Sequence, residues 1–186
     1  MNDIQNIIDS IQNEKESSRY SKRLSFLKDE KNMEISQIEE GITQVSNVLD
    51  SGGKSFVIYG EPQSGKTEMM IALTCKLLDE GYKTIFIVMN DNTELENQNF
   101  NRFRSASELN TAPMRDSQLQ GMEIADLKTK KIRVIFCRKN KNNLEKLIDN
   151  CRYITGERVL IDDEADYATP NSKINKNQLT TINDLV

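Results

Sequence analysis

"VIYGEPQSGKT", residues 57–67, runs an apolar segment straight into a glycine and then into a second glycine followed by lysine and threonine. Gly60, Gly65, Lys66 and Thr67 form the spacing G-x-x-x-x-G-K-T. Glycines at these places let backbone N–H groups curl inward around a polyphosphate, and the N-terminus of a following helix adds the positive end of its dipole. Lys66 would then reach the terminal phosphates, and Thr67 would offer its hydroxyl to magnesium. Glu61, Pro62, Gln63 and Ser64 fill the loop and Glu68 follows it, so the candidate nucleotide-binding set runs from Gly60 to Glu68. The plainer alternative is a glycine-containing turn that caps a helix and carries a surface lysine. The flanks decide between them, because a phosphate loop needs a strand before it and a helix after it.

Outward from the loop, four short apolar runs read as strands buried on both faces: "SFVIY" (55–59), "TIFIVM" (84–89), "IRVIFC" (132–137) and "RVLID" (158–162). Between them, residues 67–81 and 141–151 carry helical periodicity, the first ending in Gly81 as a helix C-terminus should. Strands alternating with helices predict an α/β fold with a parallel sheet. Residues 91–129 are polar and irregular, predicting short helices and loops. Residues 1–50 are polar with apolar positions at helical intervals, including Ile4, Ile7, Ile8 and Ile11, then Leu24, Leu27, Ile35, Ile38, Ile42, Val45 and Leu49. They read as an N-terminal helical extension of two or three helices, with residues 51–186 forming the nucleotide-binding lobe.

A second constellation sits in "RVLIDDEAD", residues 158–166, where an apolar strand ends in a burst of four carboxylates. Carboxylates at a strand's C-terminal end lie in the crevice where open parallel sheets bind ligands. One of them can hold magnesium and its neighbour can orient and deprotonate the attacking water. Asp163 is the candidate for the metal and Glu164 for the water, with Asp162 able to share the metal role. The competing reading is a solvated acidic turn.

Composition narrows the chemistry. At 186 residues and 37% hydrophobic content the chain can bury one ordinary core. A net charge of -4 argues against a protein that grips nucleic acid by bulk electrostatics alone. Cys75, Cys137 and Cys151 lie far apart, so neither a disulfide framework nor a thiolate metal site is indicated. There is no histidine, which removes the usual neutral-pH acid/base and histidine-ligated zinc. Catalysis must rest on carboxylates, lysine or a hard metal ion. The polar N-terminus lacks the apolar core of a signal peptide, and no run approaches membrane-spanning length, so a cytoplasmic protein with no membrane partner is expected.

The tetrad Asp163, Glu164, Ala165, Asp166 after an apolar strand, together with "GEPQSGKT", resembles motifs I and II of the DEAD-box-like superfamily-two helicases and translocases. The resemblance implies a RecA-like lobe, ATP and Mg2+ as cofactors, and nucleic-acid-stimulated ATP hydrolysis. Lys66, Asp163 and Glu164 would be catalytic, and Thr67, Asp163 and Asp162 would stand at the metal. Residues 63–103, 134–148 and 159–171 are similar to the Z-one domain group of prokaryotic and phage helicase-like ATPases, often linked to restriction or defence. That closer likeness rests on Gln63 to Thr67, on Asn140 with Leu144, and on Tyr167 to Asn171; the expected partner is nucleic acid, DNA ahead of RNA, though the sequence itself does not separate the two.

The chain departs from the family layout by stopping at Val186, with no room for a second RecA-like lobe, its arginine finger or the coupling strand. The expectation is an N-terminal fragment of a longer protein, acting on nucleic acid together with that lobe and slow by itself. On the resemblance, the segment after the second strand touches the nucleic-acid backbone, which points to Asn90, Asn92, Thr93 and Arg102. A run of cations, Lys128, Lys130, Lys131, Arg133, Arg138, Lys139 and Lys141, offers a basic patch for phosphates or a merely solvated face. Gln37 and Gln44 are the glutamines upstream of the loop that an adenine contact would use. The other readings of the same residues are a nucleotide-gated switch without translocation and, more distantly, a small-molecule kinase, which the want of an arginine-rich lid disfavours.

Overall fold

The computed structural model describes residues 17–58 and 65–165, arranged in two compact units, Met1–Gly81 with Ala106–Asn110 and Tyr82–Ser105 with Thr111–Val186. Expectations placed on residues 1–16, 59–64 and 166–171 lie outside the described residues.

The first unit is helical. It contains α1 (Arg19–Ser25), a π-helical turn (Phe26–Glu30), α2 (Ser36–Asp50), α3 (Lys66–Asp79) and the 3-10 turn Ser107–Leu109. Ser18 caps α1 by accepting from the Ser21 amide at 3.1 Å, which satisfies one of the first turn's orphan donors. Along α2, Ile38, Ile42 and Val45 are buried at spacings of four and three, one stripe of an amphipathic helix. In α3 every residue from Met70 to Leu78 except Lys76 is buried, so this helix is the centre of the unit, and α1, α2 and the 3-10 turn pack on it.

Among the described residues the second unit holds a four-stranded, all-parallel sheet in the order β2-β3-β1-β4. Its elements are β1 (Thr84–Met89), α4 (Thr93–Ser105), β2 (Met114–Arg115), α5 (Asp116–Leu119), α6 (Ile124–Leu127), β3 (Arg133–Arg138), α7 (Lys141–Cys151) and β4 (Arg158–Asp162). β1 pairs with β3 from Thr84↔Arg133 to Met89↔Arg138, and with β4 from Thr84↔Arg158 to Val88↔Asp162. Side chains alternate across such a sheet, and both faces are covered. On one face Phe100 and Phe103 of α4 meet the Phe136 ring edge-on at centroid distances of 5.3 and 5.0 Å. On the other, Leu144 and Leu147 of α7 join Phe86, Val88, Ile135 and Cys137 in one core cluster.

Three expectations change. "SFVIY" does not form a buried strand over its described part: residues 55–58 carry no strand, and Val57 is 89% exposed. An apolar run of this length is compatible with a buried strand, but burial needs a ladder partner and cover on both faces, which periodicity cannot supply. "RVLID" is a strand but not a doubly buried one, with Leu160 44% exposed; among the described residues β4 is hydrogen-bonded on one side only, to β1. Within residues 91–129, expected to hold only short helices, α4 runs for 13 residues. Its buried face is Glu96, Asn99, Phe100 and Phe103, a regular helical stripe in which two of four members are polar, so hydropathy concealed it.

Candidate functional site

Two places carry the candidate residues. In the first unit, Gly65 stands in the left-handed region at φ 80° immediately before α3, and Lys66 and Thr67 are the first helical residues. That backbone demands glycine: a Cβ here would be strained and would come 2.5 Å from Met33 Cε. The lysine and threonine therefore project from the N-terminal turn of a 14-residue helix, where the positive end of the helix dipole favours an anion. Lys66 is exposed. Glu68 is engaged otherwise: its carboxylate pairs with the buried Arg23, which also reaches Glu108 and lies over the Phe26 ring. Glu68 thus ties α1 to the loop's helix, a tether rather than a surface for a polyphosphate, which its negative charge would repel. Gly60, Glu61, Pro62, Gln63 and Ser64 lie outside the described residues.

In the second unit the acidic residues occupy the turn after β4. The Asp163 amide donates to the Val88 carbonyl at 2.9 Å, so the β1–β4 ladder runs one residue beyond the strand before the chain turns. Glu164 then adopts φ 55°, a left-handed backbone that costs a non-glycine residue about 1–2 kcal/mol and persists only where its surroundings impose it. Two long-range contacts impose it. Asn90, from the end of β1, donates its amide to Glu164 Oε2 at 3.2 Å. Lys139, just past β3, donates to the carbonyls of Asp163 and Glu164 at 2.8 Å each and pairs with Asp162 Oδ1 at 2.8 Å. Asp166 lies outside the described residues.

The neighbouring strand ends form a crevice. The chain leaves β1 for α4 on one face and leaves β3 for α7 on the other, the arrangement that opens a ligand cleft at the carboxyl ends of adjacent parallel strands. Here polar bonds bridge it: Asn140 donates to Asp91 Oδ1 at 3.0 Å, and Arg138 approaches the same oxygen at 3.5 Å. Beside it a cleft of about 200 Å³ is lined by Arg115, Asp116, Arg138, Asn143 and Lys146 around the buried Glu96. Glu96 accepts from Arg115 at 2.8 Å and lies 3.7 Å from Arg138, so its single charge is shared between the two arginines facing that cleft. Burial pushes the Asp116 carboxyl above its usual range, and the Glu96 charge adds to the shift.

The remaining sequence candidates scatter. Asn92 caps α4, accepting from the Glu94 and Leu95 amides at 3.0 and 3.1 Å, and Thr93 accepts from Arg138 at 2.9 Å. Arg102 is exposed on α4. The basic run does not form one patch. Arg133 is buried and donates to the carbonyls of Asp126, Thr129 and Lys131, Lys139 is buried at the acidic turn, and only Lys128, Lys130, Lys131 and Lys141 are exposed. The split follows from strand alternation and burial, which a linear count of charges does not see. Gln37 and Gln44 are exposed on α2, where Gln44 bonds Glu40 at 3.3 Å.

The donors present fit magnesium better than a soft metal. Among the described residues no three His, Cys, Asp or Glu side chains converge as a metal cage. Burial pushes the Cys75 thiol up to about 12 and raises Cys137 as well, so neither is a thiolate. What is left is oxygen, a hydroxyl at Thr67 in the first unit and carboxylates at Asp162 and Asp163 in the second, the donor type that magnesium prefers. Among the described residues no helix is long and apolar enough to cross a membrane.

No curated protein and no solved structure matches the chain. Residues 4–182 match the family ResIII, type III restriction enzyme res subunit. The parallel, helix-covered sheet is the RecA-like architecture of that family, and the chain belongs to it, within the helicase-like superfamily two of ATPases acting on nucleic acid.

Proposed function

We propose that this lobe binds ATP with magnesium and hydrolyses it in the manner of DEAD/DEAH-type helicases. The acidic turn carries this reading: Glu164 is held in a strained backbone at a strand's carboxyl end, its carboxylate oriented by Asn90, which is how an enzyme fixes a general base. Lys66, at the start of α3, would bind the terminal phosphates, and Thr67 with Asp163 would hold the metal. Magnesium bound with the nucleotide would neutralise charge on the β- and γ-phosphates. Glu164 would orient the attacking water and accept its proton.

On this reading the polymer is DNA rather than RNA, engaged with a second RecA-like lobe in the cytoplasm, and the Z-one group with its restriction and defence context is the subgroup. Without that lobe's arginine finger, turnover is slow. The second reading, a nucleotide-gated switch, draws on the internal use of Arg133, Arg138 and Lys139, which leaves less cationic surface for a polymer. ATP turnover measured with and without single-stranded DNA separates the two. Stimulation supports the motor, and turnover indifferent to DNA and RNA leaves the switch. A wild-type protein that neither binds nor hydrolyses ATP ends both.

A further inference from the structure

Lys139 is a lysine with no exposed side-chain surface, placed one residue beyond a strand whose neighbours are apolar. Its amide donates to the Met89 carbonyl at 2.6 Å, so the β1–β3 ladder continues to this residue and its side chain keeps the alternation of the sheet. Arg138 faces α4, where it meets Thr93 and Glu96; Lys139 therefore faces the α7 side. Asp162 is in register with Val88, which belongs to the α7-side cluster, so the two charges share one face. β1 lies between them in the sheet, and only a long side chain crosses from the end of β3 to the turn after β4. The Nζ donates two hydrogen bonds there, to the carbonyls of Asp163 and Glu164 at 2.8 Å each, and lies 2.8 Å from Asp162 Oδ1 as an ion pair whose alignment falls short of a hydrogen bond.

We propose that Lys139 is a positioning residue for the acidic turn. It neutralises Asp162 and holds the two carbonyls that fix Asp163 and Glu164, which makes Asp162 the clamp's counter-ion and leaves Asp163 as the carboxylate for the metal. The clamp stands on geometry alone; what it positions for rests on the proposed ATPase reading. A buried ammonium with a carboxylate and two carbonyls is a fixed point, because away from these acceptors the fully buried Lys139 charge would be desolvated without compensation. Local sequence gives Glu164 no reason to hold a left-handed backbone, and the Lys139 bond to its own carbonyl provides one.

The test uses the full chain with Lys139→Met, Asp162→Asn and the double variant. In urea denaturation the double variant is expected to lose clearly less stability than the sum of the single losses, since each single change removes one side of the same close ion pair; additive losses would overturn the clamp. A folded double variant beside an unfolded Lys139→Met is the extreme form of the same coupling, and a double variant that folds no better than Lys139→Met counts against it. In the double variant, ATP turnover is expected to fall at least tenfold and the Mg2+ concentration for half-maximal turnover to rise at least fivefold, with affinity for a magnesium-free ATP analogue within twofold of wild type. Loss of folded protein alone would scale turnover and leave that midpoint in place, so an unmoved midpoint overturns the positioning role. Should wild-type protein show no ATP turnover, the ATPase reading fails by itself. The clamp is then judged by amide hydrogen exchange at residues 163–165, expected to be at least tenfold faster in the double variant, with unchanged exchange overturning it.

Discussion

The start of α3, in the first unit, and the turn after β4, in the second, carry the candidate residues and are held by opposite means. Around Gly65 the geometry is local: a left-handed glycine and the first turn of its own helix set where Lys66 and Thr67 point. Around Asp163 and Glu164 it is borrowed: the turn is fixed by Lys139 from beyond β3 and Asn90 from beyond β1, 25 and 74 residues from Glu164 in sequence. A motif built on local backbone can be read from a short string of letters. A motif built on distant side chains can be spotted by its letters, but its geometry depends on residues that look unrelated.

That contrast can be broken or sharpened by mutation. The largest effects fall on chemistry. Glu164→Gln should keep nucleotide binding and lower ATP turnover by a factor on the order of 10² to 10⁴, the scale of a lost general base, while Lys66→Ala should abolish binding itself. Steady-state turnover with a parallel binding isotherm checks both, and wild-type turnover in Glu164→Gln removes that residue from its role. Next comes the borrowed half. Lys139→Ala should cost about 1.5–3 kcal/mol in urea denaturation, because the part-buried Asp162 and two backbone carbonyls lose a buried ammonium. A loss below about 1 kcal/mol, the scale of an exposed pair, would mean that the turn holds itself.

The local half should be cheaper to disturb. Gly65→Ala should cost about 1–2 kcal/mol through its left-handed backbone, read by the same denaturation, since Met33 has a flexible end that can yield. Asn140→Ala should cost about 1 kcal/mol, because its side chain caps α7 by accepting from the Asn143 amide at 3.0 Å. The smallest effect is expected at Val57, where Val57→Ser should stay within about 0.5 kcal/mol, as befits a residue 89% exposed. A loss of several kcal/mol there would restore the buried strand first expected from "SFVIY".

Much of the second unit was legible because its signals are regular. "TIFIVM" is a strand over the expected residues 84–89, its six positions all buried, and α7 begins where Asn140 can cap it. The failures share a cause: burial is a property of neighbours. "RVLID" has the same texture as "TIFIVM" but lies at the edge of the described sheet, and "FVI" at 56–58 has no ladder at all. α4 was missed for the converse reason. Glu96 and Asn99 occupy its inner face because Arg115, Arg138 and Met89 wait there to receive them. Its ends did carry a signal, Asn92 as cap with Glu94 and Glu96 in the first turn and Arg102 and Arg104 in the last. Lys139 was counted with a basic patch because a linear run of cations gives no hint that alternate members point to opposite faces. Its position one residue past a predicted strand end, level with an acidic strand end, was the available clue.

We propose that Lys66 and Asp163 serve one magnesium-bound triphosphate. Calorimetric titration of the wild-type chain, Lys66→Ala and Asp163→Asn with a non-hydrolysable ATP analogue, with and without Mg2+, tests it most directly. Mg2+ is expected to tighten binding to wild type, Asp163→Asn to bind as wild type does without Mg2+ and to lose the Mg2+ increment, and Lys66→Ala to bind under neither condition. An Mg2+ increment that survives intact in Asp163→Asn, or binding indifferent to Lys66→Ala, would contradict it.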